Sequence, residues 1–179
     1  MHRSSYKTRR RFEIANQPRF LTFSCYKRLP LFGNDAIKDA FATRLEVSRG
    51  RLGFRLCAWV VMPEHVHLII VPNLTEVSTP QILSAIKRPF AELVLRRWKQ
   101  LRAPILKNVR VATDRYRFWQ AGGGYDRNIR DEGEMLRKLE YIHANPVNRG
   151  LVDQPVDWQW SSARWYAGLC DGPVEVDRW

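Results

Sequence analysis

The sequence predicts an α+β fold, in which a central, mostly antiparallel β-sheet is flanked by helices. The chain has 179 residues, of which 45% are hydrophobic, so one domain with a substantial core is expected. Hydrophobic periodicity gives the element order strand, helix, strand, strand, helix, helix, and a further strand is possible near residues 116–120. Two of the strands are separated only by Pro63 and Glu64, which predicts antiparallel neighbours joined by a tight turn.

The first half of the chain contains three predicted strands and one helix. Alternating, β-compatible side chains indicate the strands, and apolar residues at helical spacing after the N-cap Asn34 indicate the helix, which Gly50 should end. In order, these elements are a strand over Arg19 to Tyr26, a helix over Asp35 to Arg49, and strands over Phe54 to Met62 and His65 to Val71. A basic arm of about residues 1–18 precedes them.

The next predicted helix is followed by a long irregular segment. Thr79 opens the helix, which should reach about Leu101. Pro89 should kink or divide it, because proline lacks an amide donor and clashes with the preceding turn. Residues 102–130 are basic and contain three glycines at 122–124, so they are predicted to form a mobile loop that is either a lid or a substrate-contacting loop.

The last predicted helix begins with Asp131 as its cap and should end near Asn145, because Pro146 discourages continuation. Its apolar stripe, which should face the core, is formed by Met135, Leu136, Leu139 and Ile142. A Trp-rich tail over about residues 153–179 should pack onto the core.

Positive charge is concentrated in two blocks. The chain carries a net charge of +12. Residues 1–30 hold eight basic and one acidic side chain, and residues 76–120 hold ten and three, so each block carries +7. Because aromatic residues are interleaved with these cations, nucleic acid is favoured as the partner over a pair of merely solvated faces.

Cysteine usage and hydropathy predict a cytoplasmic, soluble protein without a membrane partner. The three cysteines, Cys25, Cys57 and Cys170, are odd in number and widely spaced, which favours reduced thiols over a disulfide framework. No run of about 18 apolar residues is present, and the N-terminus lacks the apolar run of a signal peptide.

Two histidines on one strand form the first candidate site. Side chains alternate along a strand, so His65 and His67 lie on the same face, while Val66 and Leu68 lie on the other. Two imidazoles at this spacing can bind one divalent metal. The alternative is that both are half-exposed strand histidines without a metal.

The second candidate site is on the last helix. Tyr141 and Asn145 lie four residues apart on one flank of the apolar stripe, in line with Lys138. Tyr141 can be a helix-packing residue with its hydroxyl at the rim. Combined with a metal that polarises a phosphodiester, it can instead supply the nucleophilic oxygen, with the Asn145 amide oxygen as a third metal ligand.

These motifs resemble the REP-associated tyrosine transposases, within the single-tyrosine HUH transposases, where HUH denotes two histidines around a hydrophobic residue. The matching segments occur in the family's order and cover nearly the whole chain. They are RFLTFSCY (19–26), VVMPEHVHLI (60–69), FWQ (118–120), YDRNI (125–129), YIHANPV (141–147) and DWQWSS (157–162). The glycines at 122–124 depart from the family pattern, in which bulkier or basic residues are frequent.

The resemblance implies a single domain over residues 1–179 with a ferredoxin-like HUH nuclease fold. It implies an enzyme that cleaves and rejoins single-stranded DNA at hairpin-forming repetitive palindromic sequences. Tyr141 would be the nucleophile that retains the 5′ phosphate, and rejoining would need no ATP. His65, His67 and Asn145 would hold Mg²⁺ or Mn²⁺.

The expected partners are single-stranded and hairpin DNA, which implies nucleoid association, and both a monomer and a homodimer stay open. The residues predicted to contact DNA come from the two basic blocks: Arg9, Arg10, Arg11, Lys87, Arg88, Arg96, Arg97, Arg117 and Trp119. Two rival functions are a domesticated hairpin-DNA binder or repressor without transposition, and a metal-dependent hydrolase that uses water and forms no adduct.

Overall fold

Six strands and five helices are distributed along residues 14, 16–73, 75–122 and 124–179, which are the residues that this computed structural model describes. In chain order they are β1 (Arg19–Ser24), α1 (Asp35–Leu52), β2 (Arg55–Val61), β3 (His65–Val71), α2 (Thr79–Gln100), α3 (Leu106–Val109), β4 (Arg110–Ala112), β5 (Arg115–Tyr116), β6 (Tyr125–Asn128), α4 (Glu132–Asn148) and α5 (Ala163–Tyr166). Two 3-10 turns cover Tyr26–Arg28 and Pro155–Asp157.

The central sheet has four strands in the order β2-β3-β1-β6, and all neighbours are antiparallel. With α1 after β1 and α2 after β3, this order is that of the ferredoxin-like β-α-β-β-α-β arrangement. The predicted α+β class with a central antiparallel sheet and flanking helices is therefore confirmed.

The two faces of the sheet pack against different helices. Along β1, Leu21 and Phe23 point to the face that α1 and α2 cover, where their neighbours include Phe90. Phe20 points to the other face, where it joins the apolar residues of α4, including Met135. Each central strand therefore contributes side chains to two separate cores.

Residues 102–130 are not the irregular loop that the sequence predicted. They contain α3, the β4–β5 hairpin and β6, which is an edge strand of the central sheet. Arg19 on β1 donates from Nε and Nη2 to the Asp126 carboxylate on β6, and both side chains are buried. Gly124 has a φ of 71°, and a Cβ there would overlap the Thr22 carbonyl oxygen, so glycine lets the chain approach β1 closely.

Neither helical proline ends its helix, because Pro89 does not divide α2 and α4 continues past Pro146. Pro89 lies inside a continuous α2, because burial of Ile86 and Phe90 on either side of it outweighs the loss of one hydrogen bond. Pro146 lies inside α4, which continues to Asn148. The apolar stripe of α4 also differs, because Leu136 is exposed.

The C-terminal tail packs against the free edge of β2, as predicted for its aromatic residues. The Val61 amide donates to the Trp160 carbonyl oxygen and the Ser162 amide donates to the Trp59 carbonyl oxygen. The Asp177 carboxylate accepts from the Leu56 amide. The Trp158 indole donates to the Val61 carbonyl oxygen, and the Trp160 indole donates to Asp39. The edge of β2 is therefore covered.

The three cysteines are free, as predicted, with Cys25 and Cys57 buried and Cys170 exposed. Burial raises the pKa of the Cys57 thiol to about 11. Among the described helices, none has the length and apolar character that crossing a bilayer requires.

Candidate active site

A cleft of about 590 Å³ lies on the α4 face of the sheet, between that helix and the strands β1 and β3. The predicted residues His65, His67, Tyr141 and Asn145 all line it. The structure thus brings together four residues from two sequence segments more than 70 positions apart. The other lining residues are Phe20, Thr22, Arg28, Glu64, Tyr125, Lys138, Asn148 and Arg149.

The two histidines converge because they occupy alternate positions on β3. Their Nε2 atoms are 3.0 Å apart, and both side chains are buried, with 7% of His65 and 4% of His67 exposed. The Nδ1 atom of His65 lies 3.1 Å from the Glu64 carboxylate, which also accepts from Arg149 at 2.7 Å. The Nδ1 atom of His67 lies 2.7 Å from the Thr22 hydroxyl.

These surroundings keep both imidazoles neutral. Burial lowers the pKa of His67 to about 3, with contributions from His65 and Lys138. Burial also lowers the pKa of His65, although Glu64 opposes this shift. Burial by itself would raise the pKa of Glu64, but the Arg149 hydrogen bond and His65 outweigh it and hold the pKa below its usual range. The carboxylate therefore only accepts, and His65 carries its proton on Nδ1.

The hydroxyl of Thr22 is compatible with two states of the histidine pair. If it donates to Nδ1 of His67, then Nε2 of His67 carries the proton and donates to His65. If it accepts from Nδ1 of His67, then both Nε2 lone pairs face each other, which requires a cation between them. In that state Thr22 and Glu64 are the outer partners that fix metal-binding tautomers.

The donor set fits a divalent cation. With metal–nitrogen distances of about 2.1 Å, two ligands at a right angle are about 3.0 Å apart, which is the separation of the two Nε2 atoms. Among the described residues no three His, Cys, Asp or Glu side chains form a metal-binding group. A cation here would therefore be held by His65, His67 and the Asn145 amide, all of them neutral, and a phosphate would supply the missing negative charge.

Tyr141 stands at the rim of the cleft. It is 47% exposed, and its ring centroid lies 5.3 Å from that of His67 and 6.0 Å from that of Phe20, both in edge-on geometry. Lys138, one helical turn earlier, places its ammonium 5.7 Å from the Tyr141 ring centroid and 4.7 Å from that of Phe20. The phenol is thus accessible to a large substrate and lies next to a cation.

Several cleft residues were missed by the sequence analysis. Arg28 comes from the 3-10 turn after β1, and no local pattern pointed to it. Arg149 lies four residues after Asn145 at the end of α4, so the helical spacing that singled out Tyr141 and Asn145 would have found it. Glu64 had been assigned only to the tight turn.

The predicted DNA-binding residues are dispersed. Lys87, Arg88, Arg96 and Arg97 belong to α2, on the sheet face opposite the cleft, and Arg88 pairs with Glu92 at 2.9 Å. The Arg117 guanidinium lies 5.8 Å from the Tyr26 ring centroid, near the turn that carries Arg28. The residues Arg9, Arg10 and Arg11 lie outside the described residues.

Trp119 requires a correction, because it lies in the core. It is 8% exposed, its ring packs edge-on against Phe23 at a centroid distance of 5.0 Å, and its indole donates to the Lys87 carbonyl oxygen. A ring enclosed in this way presents no free face to a base.

Comparisons with known proteins give relatives of one kind, although no family model matches the chain. A Haemophilus influenzae protein, named provisionally as a REP-associated tyrosine transposase, is 26% identical over 143 residues, which cover 80% of this chain and 77% of that protein. The REP-associated tyrosine transposase of Escherichia coli is 30% identical over 118 residues, which cover 66% of this chain and 59% of that protein. In sequence, the chain is thus similar to two REP-associated tyrosine transposases.

The fold agrees with that relationship. The structure of a REP-associated tyrosine transposase bound to a REP hairpin is similar to this chain with a TM-score of 0.67, at 22% identity, over 98% of this chain and 93% of the other. This similarity confirms the fold, a central antiparallel sheet flanked by helices.

Proposed function

We propose that the protein is a DNA-cleaving and DNA-joining tyrosine transposase that acts on single-stranded DNA beside hairpin-forming repetitive palindromes. The observation that carries this proposal is the placement of Tyr141 and the His65–His67 pair in one cleft, with Tyr141 accessible at the rim. The names of the two relatives and the hairpin bound to the solved neighbour support the choice of substrate.

In the proposed reaction, the Tyr141 phenolic oxygen attacks the scissile phosphorus. A phosphorus–oxygen bond to tyrosine forms, the bond to the 3′ oxygen breaks, the phenolic proton is released, and the 3′ oxygen takes up a proton. The 5′ phosphate stays on Tyr141. Because one phosphodiester replaces another, reversal by a new 3′ hydroxyl joins strands without ATP.

Other cleft residues prepare this exchange. The Lys138 ammonium lies beside the Tyr141 ring and would offer a positive charge to the phosphate under attack. Arg149 pairs with Glu64, which orients His65, and Thr22 orients His67. Mg²⁺ or Mn²⁺ at His65, His67 and Asn145 would supply Lewis-acid polarisation of the phosphate.

The test is covalent capture on a denaturing gel. Wild-type protein, incubated with a single-stranded hairpin oligonucleotide and Mn²⁺, should give a band that migrates as protein joined to DNA. Tyr141→Phe should lose this band completely while binding the oligonucleotide with nearly unchanged affinity, because only the nucleophilic oxygen is removed. Tyr125→Phe is a matched control, since it removes the hydroxyl of another cleft tyrosine.

The outcomes separate the rival functions. DNA cleaved without a covalent band would indicate a water-using hydrolase, and tight hairpin binding without cleavage would indicate a domesticated binder or repressor. An adduct that persists in Tyr141→Phe would show that another residue is the nucleophile.

A further inference from the structure

The turn that follows β1 contains an unusual backbone conformation. Lys27 and Arg28 both have a φ of 54°, in the left-handed region. This region is unfavourable for side chains other than glycine, asparagine and aspartate, and two consecutive lysine or arginine residues are seldom found there. Strain of this kind persists where the surrounding structure enforces it, and it is concentrated at functional sites.

Neighbouring hydrogen bonds enforce this conformation. The Tyr26 amide donates to the Phe118 carbonyl oxygen at 2.7 Å, and the Lys27 amide donates to the Gln120 side chain at 3.1 Å. The Arg28 amide donates to the Cys25 carbonyl oxygen at 3.0 Å. The segment that accepts two of these bonds contains Trp119, whose ring is in the core, so the turn is attached to a rigid part of the molecule.

Three cations lie at or beside the strained turn, and one of them, Arg28, lines the cleft. Arg28 lines the cleft beside His65. The Lys27 ammonium and the Arg117 guanidinium lie 5.3 and 5.8 Å from the centroid of the Tyr26 ring. All three side chains are exposed, and none of them forms an ion pair with a carboxylate of the described residues.

Grouped cations without carboxylate partners repel one another unless an anion neutralises them. Glycine at positions 27 and 28 would remove the strain, but it would also remove two of these charges. The arrangement therefore fits an element that accepts backbone strain in order to hold cations at the edge of the reaction cleft.

We infer that the turn Tyr26–Arg28 and Arg117 form a phosphate clamp for the single-stranded DNA backbone next to the cleaved linkage. Arg28 binds the phosphate nearest the cleft, and Arg117 with Lys27 binds the next ones as the strand passes the Tyr26 ring. The choice of DNA as the ligand of the clamp rests on the proposed function. In this arrangement the DNA strand passes around the end of the sheet at which β3 begins.

The test measures DNA binding apart from cleavage, in the Tyr141→Phe background. Affinity for a fluorescent single-stranded hairpin oligonucleotide is followed by anisotropy over a salt series. Arg28→Asn with Arg117→Gln should weaken binding at least tenfold at low salt and reduce the salt slope by about 1.4, because each phosphate contact in single-stranded DNA contributes about 0.7. Asparagine tolerates the left-handed conformation, so the turn is retained.

Arg51→Gln with Arg55→Gln is the matched control. It removes the same charge from exposed positions at the opposite end of the sheet, where Arg55 pairs with Val71. This variant should keep the slope of the parent protein. An equal loss of affinity and of salt slope in both variants would show that only the net charge of the protein matters. That result would overturn the clamp.

A second variant, Lys27→Gly with Arg28→Gly, tests the strain. Its Tm should be equal to or above that of the parent, because glycine relieves the left-handed conformation, while its affinity for DNA falls. A lower Tm with unchanged affinity would make the turn a purely structural element.

The clamp and the proposed function fail separately. If wild-type protein forms the covalent adduct but the clamp variants keep the full salt slope, the clamp is wrong and the nuclease assignment stands. If the salt slope falls in these variants but wild-type protein forms no adduct, the clamp stands as part of a DNA-binding protein.

Discussion

The two faces of the central sheet differ in what the same strands present: packed aromatic rings on one face and cleft-lining polar side chains on the other. On the face covered by α1 and α2, rings pack against one another, as between Phe32 and Phe90, whose centroids are 5.5 Å apart. On the face covered by α4, the strands present Thr22, His65 and His67 to a cleft. Residues alternate along a strand, so the strand neighbours of Thr22, His65 and His67 are packed in the aromatic core on the opposite face. This packing fixes the backbone that positions the three polar side chains, and the side of the sheet that carries them is called the polar face below.

The largest expected effect concerns the polar face. His67→Ala should abolish metal-dependent adduct formation, because it removes one of two imidazoles that are 3.0 Å apart. The measurement is adduct yield over a Mn²⁺ titration, with circular dichroism to confirm folding. Undiminished yield without added metal would mean that the cleft does not use a metal.

A substitution on the aromatic face should change stability and leave the chemistry intact. Phe90 is fully buried, so Phe90→Ala should lower the free energy of unfolding by about 3–5 kcal/mol. Leu93→Ala, at an exposed position of the same helix, should change it by less than about 0.5 kcal/mol. Denaturant unfolding gives both values. Loss of adduct formation by folded Phe90→Ala would show that the two faces are coupled.

A smaller effect is expected for Thr22, which belongs to the polar face but does not itself bind a metal. Thr22→Val removes the hydroxyl 2.7 Å from Nδ1 of His67 and should weaken Mn²⁺ binding about 10–100-fold. Thr22→Ser keeps the hydroxyl and should restore the affinity, as measured by calorimetry on the Tyr141→Phe protein with DNA. Equal Mn²⁺ affinities in the parent, Thr22→Val and Thr22→Ser proteins would show that Thr22 does not contribute to metal binding.

The smallest expected effect lies at the charged surface of α2. Arg96→Gln with Arg97→Gln should weaken DNA binding modestly and lower its salt dependence, as the sequence analysis predicted, provided that DNA reaches around to this face. An unchanged salt slope would instead indicate that DNA contacts only the cleft side of the protein. This part of the second basic block would then be a solvated surface.

Sequence periodicity was sufficient for the strands and helices that have a clear apolar pattern. It also placed the histidine pair on one strand face and Tyr141 with Asn145 on one helix flank. Both placements depend only on the spacing of residues within a single strand or helix. The edge strand β6, with the sequence Tyr-Asp-Arg-Asn, has no apolar alternation. Its pairing depends on the buried Arg19–Asp126 ion pair and on Gly124, which are contacts between distant parts of the chain.

The arrangement of charge was also beyond reach of the sequence. Counting cations found two blocks, but of the three cations that line the cleft only Arg28 belongs to one of them, while Lys138 and Arg149 come from α4 and its C-terminal end. Trp119 shows the same limit, since a tryptophan beside basic residues has the same local pattern whether its ring stacks on a base or fills a core.

The covering of β2 by the C-terminal tail affects the tendency of the protein to aggregate. The strand from Leu56 to Val61 is buried and apolar, and the tail hydrogen-bonds along its free edge. A nascent or proteolytically shortened chain without that tail would expose a sticky β-edge to its neighbours. The segment from Trp158 to Asp177 therefore protects the edge of β2 from intermolecular β-pairing.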